Sequence, residues 1–136
     1  MFDKQFSAYS LLGSRAIQED SYICSSRNNH AFLFIICDGL GGHKSGQVAS
    51  SIASKSFEQN FWSSFENSVP IDIALESSVI HANQSINDKI YNHPELEGMG
   101  TTLLAIYISL NNHNIYWVSV GDSPFWNQTK EQQLLR

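Results

Sequence analysis

Asp38 is the residue in this chain whose placement points most directly to chemistry. It ends a near-continuous apolar run, Ala31 to Cys37, and opens a glycine-rich turn, Asp38-Gly39-Leu40-Gly41-Gly42-His43. Glu19 and Asp20 close the segment that begins Ser14-Arg15, and Asp122 stands in Gly121-Asp122-Ser123 at the end of another apolar run. Carboxylates at strand ends can converge on one edge of a sheet. Without a cation they repel one another, and burial forces some to protonate. Around Mg²⁺ or Mn²⁺ they supply the oxygen donors that hard cations prefer. Taken singly, Glu19, Asp20 and Asp122 are better read as turn or cap residues. Asp38 is set apart by the apolar run before it. Gly39, lacking a Cβ, lets a metal or ligand approach the main chain closely. Histidine is the side chain suited to proton transfer near neutral pH, so His43 could protonate a leaving group, with an ordinary surface-turn histidine as the alternative.

A strand, a glycine-rich loop, Lys44-Ser45 and a helix also suggest a phosphate-cradling loop. That pattern needs glycine directly before the lysine, and here the residue is His43. Asp38 would also place a negative charge beside the phosphates. The metal reading is therefore preferred, and Lys44-Ser45 becomes ordinary loop chemistry.

The elements that must carry these residues are legible from periodicity. Phe6, Ala8, Ser10 and Leu12 alternate with Ser7, Tyr9 and Leu11, which predicts a first strand closed by Gly13. A short strand through Ser21–Ser26, a turn at Arg27-Asn28-Asn29-His30 and a third strand at Ala31–Cys37 complete an expected meander with acids at its ends. From Gln47 the pattern becomes helical, with Val48, Ile52, Phe57, Phe61 and Phe65 at mostly four-residue steps. Pro70 ends that helix, and Asp72 is the expected N-cap of a second, in which Leu75, Val79, Ala82, Ile86 and Ile90 form the apolar face. A loop at Asn92–Gly98 leads through Gly100-Thr101-Thr102 into the β-branched run Leu103–Leu110. A turn at Asn111–Asn114 precedes a returning strand, Ile115 to Asp122. From Pro124 a further strand start dissolves into polar sequence.

The chain has 136 residues, 42% of them hydrophobic, which suits one modest domain with one core. Its net charge of −5 is spread without acidic or basic blocks, which argues against nucleic acid or an anionic membrane as partner. No apolar run approaches the roughly 20 residues that span a bilayer, and the start MFDKQFSAYS has no charged-then-apolar signal pattern. The expectation is a cytoplasmic protein. Cys24 and Cys37, the only two cysteines, are assigned no disulfide or zinc chemistry.

In chain order, Gly13-Ser14-Arg15 with Gln18-Glu19-Asp20, the Asp38–His43 turn, Gly46 through Ser50, Gly98-Met99-Gly100-Thr101-Thr102 and Gly121-Asp122-Ser123 resemble the motifs of PPM-type (type 2C) metal-dependent serine/threonine protein phosphatases. Each motif is weak alone; five in the same order, spanning Phe6 to about Asn127, are specific. The resemblance implies an α+β fold, a four-layer α-β-β-α sandwich of antiparallel sheets flanked by helices. It implies hydrolysis of phosphoserine and phosphothreonine by metal-activated water at a two-metal Mg²⁺ or Mn²⁺ centre, with a third, weaker site. Carried over residue by residue, Asp38 would bridge the metals and the Gly39 carbonyl would bind one. Glu19 would ligate directly, Asp20 would hold metal-bound waters and Asp122 would belong to the weaker site. Arg15 would grip the substrate phosphate and His43 would act as general acid. The implied partners are a phosphorylated protein substrate and a Ser/Thr kinase acting on the same substrate.

Two departures qualify the resemblance. The family pattern continues with a DG-type and a DN-type motif that add two aspartates to the metal centre, and no aspartate follows Asp122 here. The chain is therefore expected to be a single, C-terminally truncated domain over residues 1–136, with apolar surface near Ile115–Val120 left unburied. An inactive phosphatase-like binding or decoy module, or a gene fragment, is the alternative. Pro124 also replaces the arginine that usually follows Gly-Asp-Ser in the family.

Overall fold

The computed structural model describes residues 6–41, 44–128 and 134–135. Its first regular element is a hairpin of two strands, β1 (Asp20–Arg27) and β2 (Ala31–Leu40). The turn between them holds Asn28 and Asn29 at φ of 53° and 55°, a region that asparagine tolerates better than most residues. Helices α1 (Lys44–Glu66) and α2 (Ile71–Asn92) follow, then a 3₁₀ turn at Pro94–Leu96. Strands β3 (Gly100–Thr101), β4 (Leu103–Ser109) and β5 (Asn114–Val120) come next, with a short pair, β6 (Asn127–Gln128) and β7 (Leu134–Leu135), at the end. The main sheet is antiparallel in the order β1-β2-β4-β5, and β3 pairs with the last two residues of β2. The fold is α+β, with both helices on one face of the sheet. Among the described residues no helix is long and apolar enough to cross a membrane.

Strand alternation decides which face is buried. Ala31, Leu33, Ile35, Cys37 and Gly39 of β2 point toward the helices, and Ile36, Asp38 and Leu40 point away. The inner residues meet Phe57, Phe61 and Trp62 of α1, with Leu103, Ala105 and Tyr107 of β4 completing the layer. Phe61 lies at the centre, its ring 5.2 Å from Trp62 and 5.4 Å from Tyr107. Burying each such aromatic contributes about 1.5–3 kcal/mol.

Helix α1 runs beside β1 in a register set by small polar residues. The Ser50 hydroxyl donates to the Glu19 carbonyl at 2.6 Å, Ser54 and Ser21 share a hydroxyl pair at 2.9 Å, and the Trp62 indole N–H donates to the Ser25 hydroxyl at 2.9 Å. A four-residue helical step rises about 6 Å and a two-residue strand step about 6.7 Å, so contacts at these spacings keep pace along both elements. The far end is closed by Arg27, which stacks 4.7 Å from the Trp62 ring centroid and bonds Glu66 at 3.3 Å. This register puts Glu19 against the first turn of α1.

Three expectations are corrected. Residues 6–12 form no strand: alternation keeps a segment extended, but a strand also needs an edge to receive its hydrogen bonds. The Phe6 ring instead packs edge-on against Phe34 and Phe32, at 5.5 and 6.5 Å. Asp72 is not the N-cap of α2. Pro70 occupies that position, its carbonyl accepting the Ala74 N–H at 2.8 Å, and Asp72 sits in the first turn, where a carboxylate complements the helix dipole. Helix α1 begins at Lys44 rather than Gln47. Of the four expected layers, the described residues form one helix pair and one main sheet. The sheet's outer face carries half-buried Phe32, Phe34, Ile106 and Ile108, with Tyr22, Ile36 and Trp117 about half exposed.

Candidate metal centre

The candidate site straddles the end of the hairpin where β1 begins and β2 finishes. Asp20 and Asp38 are direct partners across the β1–β2 ladder, so antiparallel geometry sets their Cβ atoms about 5 Å apart on the sheet's outer face. The Asp38 carboxyl is held above the usual carboxylate range, although its residue is exposed on one side. Partial desolvation contributes most, followed by the Asp20 charge and a carboxyl–carboxyl hydrogen bond to Asp20. The Arg15 guanidinium opposes the rise in part, and the Asp122 charge adds to it. Arg15, Asp20 and Asp122, distant in sequence, are thus within electrostatic reach of Asp38.

Glu19 approaches from the other side of the strand end. Its side chain is 17% exposed, and Oε2 lies 3.9 Å from the Arg15 guanidinium, which is itself 68% exposed. Its other oxygen, Oε1, is buried and has no hydrogen-bond partner. The Glu19 backbone is held firmly: its carbonyl accepts the Gly39 N–H at 3.2 Å and the Ser50 hydroxyl. Gly39 and Gly46 make this packing possible. A Cβ on Gly39 would lie 2.1 Å from the Gly46 carbonyl oxygen, and one on Gly46 would lie 2.5 Å from Glu19 Oε1. Two glycines therefore let the start of α1 close onto the end of β2 with Glu19 between them.

The Asp38 backbone is fixed from a third direction. Its N–H donates to the Thr102 hydroxyl at 3.0 Å, and its carbonyl accepts the Thr102 N–H at 2.9 Å and the Thr101 hydroxyl at 3.0 Å. Ser50, Thr101 and Thr102 had no role assigned by residue type, because a hydroxyl that serves a distant backbone group leaves no local signal. Their presence in the Gly46–Ser50 and Gly98–Thr102 motifs was the available trace.

Arg15, Glu19, Asp20, Asp38, Gly39 and Asp122 are thus gathered about one sheet end, whereas His43 lies outside the described residues. The assembled set fits a divalent cation of the hard class. Its donors are oxygens, one buried carboxylate oxygen has no partner, and two carboxyls share a position that only a proton or a cation can neutralise. Among the described residues, no three His, Cys, Asp or Glu side chains converge closely enough to hold a metal by themselves. Further donors are needed to close a coordination shell.

Residues 9–136 match the family profile described as Protein phosphatase 2C. The chain is 34% identical over 109 residues to the serine/threonine protein phosphatase PstP of Mycobacterium tuberculosis, covering 80% of this chain and 20% of that protein. It is 27% identical to a putative protein phosphatase of Mycoplasma genitalium, covering 94% of this chain and 53% of that one. A crystal structure of the M. tuberculosis PstP/Ppp phosphatase superposes with a TM-score of 0.74 at 31% identity, over 89% of this chain and 47% of that one. A second, of the PstP catalytic domain in complex with two manganese ions, gives a TM-score of 0.70 at 31% identity, over 88% and 48% of the respective chains. The chain thus spans about half of the length of these solved structures, and a fifth to a half of the curated relatives.

Proposed function

This chain belongs to the protein phosphatase 2C family, and from that membership we propose that it carries the N-terminal share of a metal-dependent phosphatase acting on phosphoserine and phosphothreonine in proteins. The observation that carries the reading is the facing pair Asp20 and Asp38, with the unpartnered, buried Glu19 Oε1 behind it. Such a cluster is unfavourable as plain structure and useful around divalent cations.

In this reading Asp38 and the Gly39 carbonyl would hold Mg²⁺ or Mn²⁺, Glu19 would ligate from the α1 side, Asp20 would orient water at the site and Asp122 would contribute to a weaker site. Two such ions would supply an acidified water and neutralise charge on the transferring phosphoryl group. Arg15, mostly exposed and only loosely paired with Glu19, is free to turn its planar fork of donors onto the substrate phosphate. His43 gives a proton to the departing serine or threonine oxygen. The substrate is a phosphorylated protein, and a Ser/Thr kinase that phosphorylates it is the functional counterpart. A second reading, an inactive phosphatase-like binding module, is favoured by the absence of a three-ligand cluster among the described residues.

The test is phosphate release from a phosphothreonine peptide by the purified chain with Mn²⁺. Slow, metal-dependent release that stops in Asp38→Asn supports the phosphatase reading. Release that is metal-independent or unchanged in Asp38→Asn overturns it, and Mn²⁺ binding without any turnover favours the inactive module.

A further inference from the structure

Asp38 and Asp122 reach the candidate site on separate segments, and a single side chain joins those segments. Thr102 is 5% exposed, between β3 and β4. Its N–H is committed to the Asp38 carbonyl at 2.9 Å, which anchors its backbone. Its hydroxyl oxygen accepts the Asp38 N–H at 3.0 Å and lies 2.9 Å from the Ser123 hydroxyl. Because the Asp38 N–H already donates to that oxygen, the threonine's own hydroxyl hydrogen is available to Ser123. The methyl branch is engaged too. Gly121 sits against it at φ +103°, so close that a Cβ there would be 2.8 Å from Thr102 Cγ2. A β-branched side chain has few χ1 options, and here both branches are occupied.

We propose that Thr102 is a positioning residue of the metal centre: its hydroxyl joins the Asp38 peptide to the Gly121–Ser123 turn and so sets where Asp122 stands relative to Asp38. The inference rests on the metal reading given above. Thr102 touches no substrate and holds no metal; it acts through the two aspartates. Supporting contacts of this kind tune metal affinity, and their loss typically weakens it by about 10–100-fold.

Two substitutions separate the hydroxyl from the packing. Thr102→Val keeps the shape and removes the hydroxyl; Thr102→Ser keeps the hydroxyl and removes the methyl. Mn²⁺ affinity of the whole chain, measured by calorimetry below the unfolding transition, should fall about tenfold in Thr102→Val and stay within about threefold in Thr102→Ser. Affinity unchanged in Thr102→Val, or lost equally in both, overturns the proposal. If Thr102→Val does not fold, Ser123→Ala decides: it spares the Asp38 N–H bond at a half-buried position and should still weaken Mn²⁺ binding several-fold. Unaltered binding in Ser123→Ala then overturns the coupling. An unsubstituted chain that binds no Mn²⁺ overturns the metal reading itself and this inference with it, whereas equal binding by all variants removes only the role of Thr102.

Discussion

The joint between Gly39, Gly46 and Glu19 makes an asymmetric prediction for two alanine substitutions. A Cβ at Gly39 would meet the Gly46 carbonyl oxygen at 2.1 Å, the Gly46 carbonyl carbon at 2.5 Å and the Glu19 carbonyl oxygen at 2.6 Å, against 3.4–4 Å for ordinary contact. All three are backbone atoms, on a helix and on the lead-in to a strand, so relief requires separating α1 from the sheet. Overpacking of this kind costs about 3 kcal/mol or more. At roughly 4 °C per kcal/mol for a chain of this size, Gly39→Ala should lower the melting midpoint by about 12 °C or abolish the cooperative transition. A Cβ at Gly46 meets Glu19 Oε1 at 2.5 Å, the far end of a flexible side chain, and its tightest backbone contact is the Gly39 carbonyl carbon at 3.0 Å, which a shift of a few tenths of an ångström relieves. There the overpacking of about 1–3 kcal/mol is partly offset by up to about 1 kcal/mol of helix propensity. Gly46→Ala should therefore melt within about 8 °C of the unaltered chain, yet lose about tenfold or more in Mn²⁺ affinity because Glu19 is displaced. Calorimetric melts and Mn²⁺ titrations of both variants check this. A Gly39→Ala chain as stable as the original, or Gly46→Ala as damaging to stability as Gly39→Ala, would mean that backbone contact at Gly39 does not limit how closely α1 approaches β2.

Other consequences follow from the core and the sheet. Phe61→Ala removes a fully buried ring in contact with Phe57, Trp62, Phe65 and Tyr107, and should cost about 3–5 kcal/mol in denaturant unfolding. The buried Cys37 thiol, pushed up to about 12 by desolvation, should resist a thiol reagent at pH 8 until the chain unfolds, while exposed Cys24 reacts first. Because its folded pKa is the higher one, Cys37 leaves stability unchanged below about pH 9, and stability should then decline as pH rises toward 12. The apolar outer face, with Ile36 48% and Trp117 57% exposed, should drive self-association visible by sedimentation velocity and reduced in Ile36→Lys; a monodisperse monomer at all concentrations would contradict this.

Much of the clustering at the candidate site was legible in the sequence, for identifiable reasons. Asp38 stood out because the apolar run before it marked a buried strand, and Glu19, Asp20 and Asp122 because they close neighbouring segments. The hairpin turn was legible in Asn28-Asn29, and the inner helix faces in the four-residue spacing of Phe57, Phe61 and Phe65. Pairing partners were less so. Residues 6–12 alternate as a strand would, yet among the described residues no strand edge receives them, and periodicity carries no information about edges. Asp72 looked like a cap by residue type, but proline at position 70 set the helix start two residues earlier. The hydroxyls of Ser50 and Thr102 were hidden because their partners, the backbones of Glu19 and Asp38, are 31 and 64 residues away. The closeness of Gly39 to Gly46 likewise depends on α1 folding back over β2.

We propose that Asp38, with Glu19 and Asp20 beside it, contributes to a divalent-cation site that further donors complete. Titration calorimetry of the purified chain with Mn²⁺, beside Asp38→Asn, tests it most directly. Saturable binding by the unaltered chain and at least tenfold weaker binding in Asp38→Asn are expected, with both proteins folded. No heat of binding at millimolar Mn²⁺, or the same affinity in both chains, would contradict it.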